Sequence, residues 1–121
     1  MVLVDTTVWV AHFRERNDRL VTALDKGDVL SHTFIIGELA CGNLENRREI
    51  LDLLQTLPRA ATVSDDEVIR FIELRELAGI GVGYIDVHLL ASALITGVPL
   101  WSLDRTLNRT AENLNVAYRK T

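Results

Sequence analysis

The sequence feature that most constrains the fold is the opening segment, Val2-Leu3-Val4-Asp5. Three consecutive β-forming apolar residues predict a buried strand, and the apolar pattern that begins at Thr6-Thr7 predicts a helix through Phe13. Asp5 is therefore placed at the carboxyl end of a buried strand. Ligands of open α/β sheets bind beyond that edge, so Asp5 is a candidate site residue by its position alone.

Length and composition predict one compact domain over residues 1–121. The chain has 121 residues, 48% of them hydrophobic, which is enough for a core that folds alone. No apolar stretch approaches the roughly 20 residues of a membrane span, and the first residues lack the basic segment of a signal peptide. We therefore expect a cytoplasmic protein with no membrane partner.

The net charge of -4 argues mildly against a nucleic-acid partner, since such domains usually carry a basic excess. If four of the 17 acids form one metal site, 13 acidic residues remain against 13 basic ones, and the objection weakens. Eleven of the basic residues are arginine, the side chain best suited to bidentate phosphate contacts. A genome that favours arginine codons explains this bias equally well.

Along the rest of the chain, predicted strands alternate with predicted helices. The further strands are expected at residues 29–30, 61–63, 99–102 and 116–118, the last at a sheet edge. Helices are expected at about 18–26, 33–42, 47–57, 65–77, 87–96 and 104–114, and capping boxes are expected at Asn46 with Glu49 and at Ser64 with Glu67. This alternation predicts an α/β fold with a parallel-type sheet and short connections.

Three local features are assigned structural roles. Asp65, Asp66 and Glu67 are expected to complement the dipole of the helix that they begin, and they are left out of the site. The glycines at 79, 81 and 83 are better explained as a flexible connection than as a phosphate loop. Cys41, the single cysteine, is expected to be a small buried hydrophobe.

Four acids share one context, because each follows or interrupts an apolar stretch. They come from four different elements: Asp5, Glu38, Asp86 and Asp104. Glu38 shares a helical face with Ile35 and Cys41, so it lies within or beside the apolar stripe and needs a partner. We expect Glu38, Asp86 and Asp104 to converge on Asp5.

Four converging carboxylates would repel one another unless a cation neutralised them. Hard oxygen ligands suit Mg²⁺ or Mn²⁺, and the sequence has no Cys/His cluster of the kind that zinc prefers. Such a site polarises a phosphodiester and activates water, which is nuclease chemistry. The hydroxyls of Thr6 and Ser102 are expected to orient the metal ligands or a metal-bound water without binding the metal themselves.

Structural alternatives remain open for each of these residues. Asp5, Asp86 and Asp104 could simply cap the helices that follow them, Glu38 could pair with a buried arginine, and both hydroxyls could be helix caps. His88, two residues after Asp86 on a helix, is expected to face away from it as a core or surface histidine.

The acidic residues and their surroundings resemble four motifs of the PIN-domain ribonucleases, and within them the VapC-type toxins. Residues 1–7 resemble the family's opening strand and first acid, and Ser31-His32-Thr33 with Glu38-Leu39 and Gly42 is similar to its second motif. Asp86, followed by Leu89, Ala91 and Ala93 and then by residues 97–100, looks like the third motif. Ser102-Leu103-Asp104 matches the last. Thr7 and Leu107 depart from the common pattern, which more often has Ser and an aromatic residue at these positions.

The resemblance implies a three-layer PIN-like α/β fold, with a short and mostly parallel central sheet flanked by helices. It also implies an Mg²⁺- or Mn²⁺-dependent endoribonuclease that cleaves cellular RNA, with transfer RNA among the candidates, and so inhibits translation. By carry-over, Asp5, Glu38, Asp86 and Asp104 are the metal-binding and catalytic acids. A VapB-type antitoxin would hold the toxin inactive and carry the operator-DNA contact, and the toxin would form a homodimer.

Two other functions stay open on the sequence. One is a PIN nuclease for RNA maturation rather than a toxin. The other is a non-catalytic flavodoxin-like binding or signalling module, such as a phosphoacceptor domain. Such a module usually has a late lysine after a strand, and neither Lys26 nor Lys120 follows a strand in the right place.

Overall fold

The computed structural model describes residues 1–119, and its centre is a three-stranded parallel sheet. The strands are β1 (Val2–Val4), β2 (Val29–Leu30) and β3 (Leu100–Trp101), arranged in the order β2-β1-β3. Leu3 pairs with both Leu30 and Leu100, so β1 is the central strand and lies between two neighbours. The predicted parallel sheet is confirmed.

Seven helices within residues 1–119 complete the three-layer α/β fold that the sequence predicts. They are α1 (Thr6–Arg14), α2 (Asp18–Asp25), α3 (Thr33–Cys41), α4 (Arg47–Thr56), α5 (Asp65–Leu74), α6 (Tyr84–Thr96) and α7 (Arg105–Asn113). None of these helices is both long enough and apolar enough to span a membrane.

The core forms around the sheet because every residue of the three strands is buried. Apolar side chains from α1, α3, α6 and α7 pack against the strands and make the main cluster. A smaller cluster lies under α5 and the start of α6 and includes Val68, Val87 and Ala91. The start of α6 is therefore packed against α5 through this second cluster.

Two of the predicted strands are wrong. Residues 61–63 form no strand, because the sheet edge pairs instead with the segment before them: Ser31 N donates to Pro58 O at 2.8 Å and Ala60 N donates to Ser31 O at 2.8 Å. Residues 116–118 contribute only a single bridge, between Ala117 and Leu100. In both places the pairing is one residue long, too short for a strand.

Several helix boundaries also differ from the prediction. Helix α5 ends at Leu74 rather than near residue 77, because Glu76 adopts a left-handed conformation with φ of 54°. Helix α6 begins three residues earlier than predicted, with Gly83 as its N-cap. Asn46 precedes α4 in a left-handed conformation and makes no side-chain cap, so the capping box predicted there is wrong. The cap at Ser64 is confirmed, since its hydroxyl accepts from Glu67 N.

Cys41 is exposed, and its predicted burial is wrong. The buried face of α3 is formed by Ile35, Ile36 and Leu39. Cys41 is the last residue of α3, and at about 100° per residue it points to the opposite side of the helix from Leu39. The apolar residues near it in sequence therefore give it no neighbours in the core.

The central position of β1 yields a stability prediction. Leu3 is fully buried, so Leu3→Ala should lower the free energy of unfolding by about 3 kcal/mol through lost burial and the cavity left behind. Leu74→Ala is the matched control, because Leu74 is 80% exposed, and it should change stability by less than about 0.5 kcal/mol. Urea unfolding measures both, and equal midpoints would contradict the central role of β1.

Candidate active site

Asp5 lies where the sequence places it, directly after β1 and at the start of α1. Its Oδ1 accepts a hydrogen bond from Val8 N at 3.2 Å, so Asp5 caps α1, and Thr7 Oγ1 also donates to Oδ1. The residue is only 3% exposed. Burial raises the pKa of the Asp5 carboxyl, and hydrogen bonds, first that of Ser102 and then that of Thr7, oppose this increase.

Glu38 extends from α3 towards the beginning of α1. Its side chain is exposed, and Thr6 Oγ1 donates to Glu38 Oε1 at 2.9 Å. Within residues 1–119 no arginine lies within ion-pair distance of Glu38, so the structure does not support the buried arginine partner considered above. The hydrogen bond from Thr6 orients the Glu38 carboxylate.

Asp104 follows β3 and caps α7, with Leu107 N donating to its Oδ1 at 2.9 Å. Ser102 Oγ accepts from Asp104 N at 3.0 Å and so fixes the backbone on which the carboxylate stands. Ser102 therefore lies beside Asp104, where its hydroxyl binds the backbone amide of Asp104 rather than the carboxylate.

Asp86 is the acid on which the charges of the other three act. It lies in the first turn of α6 and is partly buried. Desolvation raises its pKa from 3.8 to about 6, and the negative charges of Asp5, Asp104 and Glu38 add to the increase in that order. The charges of Asp5, Asp104 and Glu38 therefore all act on Asp86, although the four acids are 33, 48 and 18 residues apart in sequence.

The oxygen-rich composition of this cluster fits a hard divalent cation such as Mg²⁺ or Mn²⁺. Within residues 1–119, however, no three Asp, Glu, His or Cys side chains are close enough together to ligate one ion directly. These separations are compatible with the raised pKa of Asp86, because two negative charges repel each other over distances longer than a metal–ligand bond.

Thr7 is a central residue of the site that sequence reasoning did not select. Its Oγ1 donates to Asp5 Oδ1, accepts from Leu103 N at 2.9 Å and lies 3.5 Å from Ser102 Oγ. One hydroxyl thus joins the end of β1 to the segment after β3. The only signal in the sequence was a hydroxyl residue two positions after the first acid.

The histidines lie apart from the acidic cluster. His88 is buried and donates from Nε2 to Asp65 Oδ1 at 3.1 Å, so it faces away from Asp86 as predicted. His32 is also buried and accepts from Phe34 N through Nδ1, while its Nε2 lies 2.9 Å from Ser92 Oγ. Burial lowers the pKa of His32 to about 4, so it is neutral at physiological pH.

A cleft of about 820 Å³ opens beside the acidic cluster. Thr6 and Glu38 line it at one end, and Val10, Phe13 and Leu39 contribute an apolar wall. Arg14 and Glu45 also line the cleft, so it combines an apolar surface with charged groups of both signs.

Comparison with known proteins identifies the family. The sequence profile of the PIN domain matches residues 2–113. The chain belongs to the PIN domain family. It is 41% identical, over 118 residues, to proteins named Ribonuclease VapC32 from two strains of Mycobacterium tuberculosis, with 97% of this chain and 95% of those proteins covered. The predicted identity as a VapC-type PIN domain is confirmed.

The fold of this PIN domain is also similar to that of a solved structure. The crystal structure of PAE2754 from Pyrobaculum aerophilum superposes with a TM-score of 0.61, covering 93% of this chain and 85% of that one. The two sequences are 18% identical, so this likeness concerns the fold. It confirms the predicted PIN-like α/β architecture.

The position of Thr7 in this PIN domain generates a second prediction. Thr7→Val keeps the shape but removes the hydroxyl, which leaves Leu103 N and buried Asp5 each short of one partner, so the free energy of unfolding should fall by about 1–3 kcal/mol. Thr7→Ser keeps the hydroxyl and should lose no more than about 1 kcal/mol. Chemical denaturation measures both variants, and equal losses would show that the methyl group, not the hydroxyl, matters.

The raised pKa of Asp86 predicts how the stability of the metal-free chain depends on pH. Folded Asp86 binds its proton more tightly than unfolded Asp86, so stability should fall as pH rises from about 4 through about 6. Asp86→Asn removes this effect and should gain stability relative to the wild type over the same interval. Thermal unfolding in a chelator at pH 4, 5, 6 and 7 measures the difference.

The matched control for this pH series is Asp25→Asn, which removes an exposed carboxylate at the end of α2. Its stability should follow that of the wild type across the series. A constant difference between Asp86→Asn and the wild type from pH 4 to 7 would contradict repulsion within the cluster.

Proposed function

We propose that this chain is a metal-dependent endoribonuclease that acts as the toxin of a toxin–antitoxin pair. The proposal rests on one observation above all: Asp5 and Asp104 follow neighbouring parallel strands and are joined through the hydroxyls of Thr7 and Ser102. Desolvation, with the charges of these two acids and of Glu38, raises the pKa of the partly buried Asp86. A cluster of this kind favours a divalent cation, which would relieve the repulsion. The relatives named Ribonuclease VapC32 support RNA as the substrate.

We assign Mg²⁺ or Mn²⁺ to the four acids, which would move closer together to ligate it, since within residues 1–119 no three such side chains lie close enough in the structure. When bound, the cation supplies Lewis acidity at the phosphodiester and lowers the pKa of a coordinated water. Asp5 and Asp104 would each keep Oδ1 on a helix N-terminus, so the backbone fixes the direction of both carboxylates. Capping and metal binding are compatible roles, because a carboxylate has two oxygens and about four lone-pair sites.

The hydroxyl residues would set the geometry of these ligands. Thr6 holds Oε1 of Glu38, and Thr7 holds Oδ1 of Asp5. Ser102 fixes the backbone amide of Asp104. Residues that orient ligands in this way commonly affect metal affinity and activity by 10- to 100-fold when they are removed.

The partners follow from the same proposal. A VapB-type antitoxin would place its tail in the cleft beside Glu38, whose apolar wall and charged groups of both signs suit a segment with apolar and charged side chains. The toxin would act in the cytoplasm as a homodimer and would contact operator DNA only through the antitoxin. Its target would be cellular RNA, transfer RNA among the candidates, and cleavage would inhibit translation.

RNA cleavage by the wild type and by Asp86→Asn tests this function. Induction of the wild type in bacterial cells, followed by mapping of new RNA 5′ ends, should give discrete cuts and slow growth. Asp86→Asn should reduce cleavage by at least about 100-fold, because it removes a charged ligand. The purified wild type should lose cleavage of the same RNA in a chelator and regain it with Mg²⁺ or Mn²⁺.

Asp25→Asn controls for the loss of one negative charge outside the cluster and should cleave like the wild type. Metal-dependent cuts that persist at full rate in Asp86→Asn would overturn the proposed site. Cleavage without any effect on growth would favour an RNA-maturation nuclease over a toxin. No cleavage by a folded wild-type chain would favour a binding module instead.

A further inference from the structure

We propose that Asp65 is a positioning residue, which holds the first turn of α6 through Tyr84 and His88 and thereby fixes the direction of Asp86. Asp65 lies at the start of α5, outside the acidic cluster. The inference deepens the proposed function and rests on it, since it concerns the geometry of one of the four acids.

Two donors on α6 converge on a single oxygen of Asp65. Tyr84 Oη donates to Asp65 Oδ1 at 2.6 Å, and His88 Nε2 donates to the same atom at 3.1 Å. The side chain of His88 is only 2% exposed, whereas that of Asp65 is 77% exposed. An otherwise solvated carboxylate is thus joined to a group buried between helices.

The spacing of the two donors makes this contact relevant to Asp86. Tyr84 and His88 are four residues apart, so they lie on one face of α6. Asp86 is two residues from each of them, and at about 100° per residue it lies on nearly the opposite face. Holding Tyr84 and His88 therefore fixes the rotation of this turn about the helix axis while Asp86 remains free to face the cluster.

The first turn of α6 packs against α5 through Val87, and the Gly83 backbone amide donates to the Asp86 carboxylate, but the turn has no side-chain cap. Its N-cap is Gly83, which has no side chain to bond to the free amides, and the preceding loop contains Gly79 and Gly81 with positive φ. The neighbouring acids also repel Asp86. The Asp65 contacts add directional hydrogen bonds to the apolar packing of this turn, and hydrogen bonds fix its rotation more closely than apolar contact does.

His88 extends this support to α3. Its ring makes an edge-to-face contact with Phe34, with ring centroids 4.8 Å apart, and a second one with Tyr84 at 4.7 Å. Phe34 lies on α3 four residues before Glu38. The group of Asp65, Tyr84, His88 and Phe34 therefore connects α5, α6 and α3, the last two of which carry members of the acidic cluster.

Mn²⁺ binding, followed by electron paramagnetic resonance, tests this role in the full chain. Asp65→Ala should weaken Mn²⁺ binding by about 10-fold, the lower end of the range for groups that support metal ligands. It should lower kcat for RNA cleavage with little change in KM, and high Mn²⁺ should restore activity. High Mn²⁺ should not rescue Asp86→Ala, which lacks the ligand itself.

Two neighbouring substitutions separate positioning from general loss of structure. Asp66→Ala removes the adjacent acid from the same first turn of α5, and Ser64→Ala removes the helix cap, which costs about 1 kcal/mol. Both should leave Mn²⁺ affinity unchanged within about 2-fold. Amide hydrogen exchange of the metal-free chain gives a second readout, because only Asp65→Ala should speed exchange at residues 87–91.

Equal Mn²⁺ affinity in Asp65→Ala, Asp66→Ala and Ser64→Ala would overturn the inference while leaving the proposed function intact. A folded wild type that neither binds Mn²⁺ nor cleaves RNA would overturn both. Should Asp65→Ala fail to fold, Tyr84→Phe provides the same comparison. It removes one of the two donors but keeps the ring, so Mn²⁺ affinity should fall about 3-fold, and no change would overturn the inference.

Discussion

The site depends on the burial of one carboxylate, Asp5, at the end of the central strand. A buried charge is costly unless hydrogen bonds compensate it, and here the N-terminus of α1 and two hydroxyls do so. The most important of these groups is Thr7, because its single hydroxyl also binds the backbone of Leu103. The Thr7 hydroxyl, which offsets part of the cost of burying Asp5, therefore also attaches the start of α1 to the segment that leads to Asp104.

The strand order explains why these groups meet. Val4 pairs with Trp101, so in a parallel sheet the next residues along the two strands, Asp5 and Ser102, are neighbours. On its other side β1 pairs with β2, whose continuation leads into α3 and to Glu38. Helix α6 supplies Asp86 from a third direction. Asp5 and Asp104 lie near each other because the neighbouring strands that precede them end at the same edge of a short sheet.

The same residues serve stability and the proposed chemistry. Asp5 and Asp104 cap helices, which sequence reasoning treated as an alternative to a functional role. In the structure the cap uses one oxygen and sets the direction of the other, so a rigid backbone orients both acids. Thr6, Thr7 and Asp65 each join two separate parts of the fold through a hydrogen bond of one side chain. Thr6 and Thr7 lie in the first turn of α1 and Asp65 in the first turn of α5, so these three supports are held on helices.

The sequence by itself determined the strand that ends in Asp5, the approximate positions of the helices and the parallel sheet, and it selected the four acids on which the proposed function rests. These follow from local patterns, namely apolar periodicity, capping residues and the order of motifs along the chain. Tertiary structure alone decided the exposure of Cys41, the sheet-edge pairing of residues 58–60, the role of Thr7 and the contacts of Asp65. Thr7 meets Leu103 across 96 residues and Asp65 meets Tyr84 across 19. A local pattern extends over only a few neighbours, whereas these contacts depend on how separate helices and strands pack.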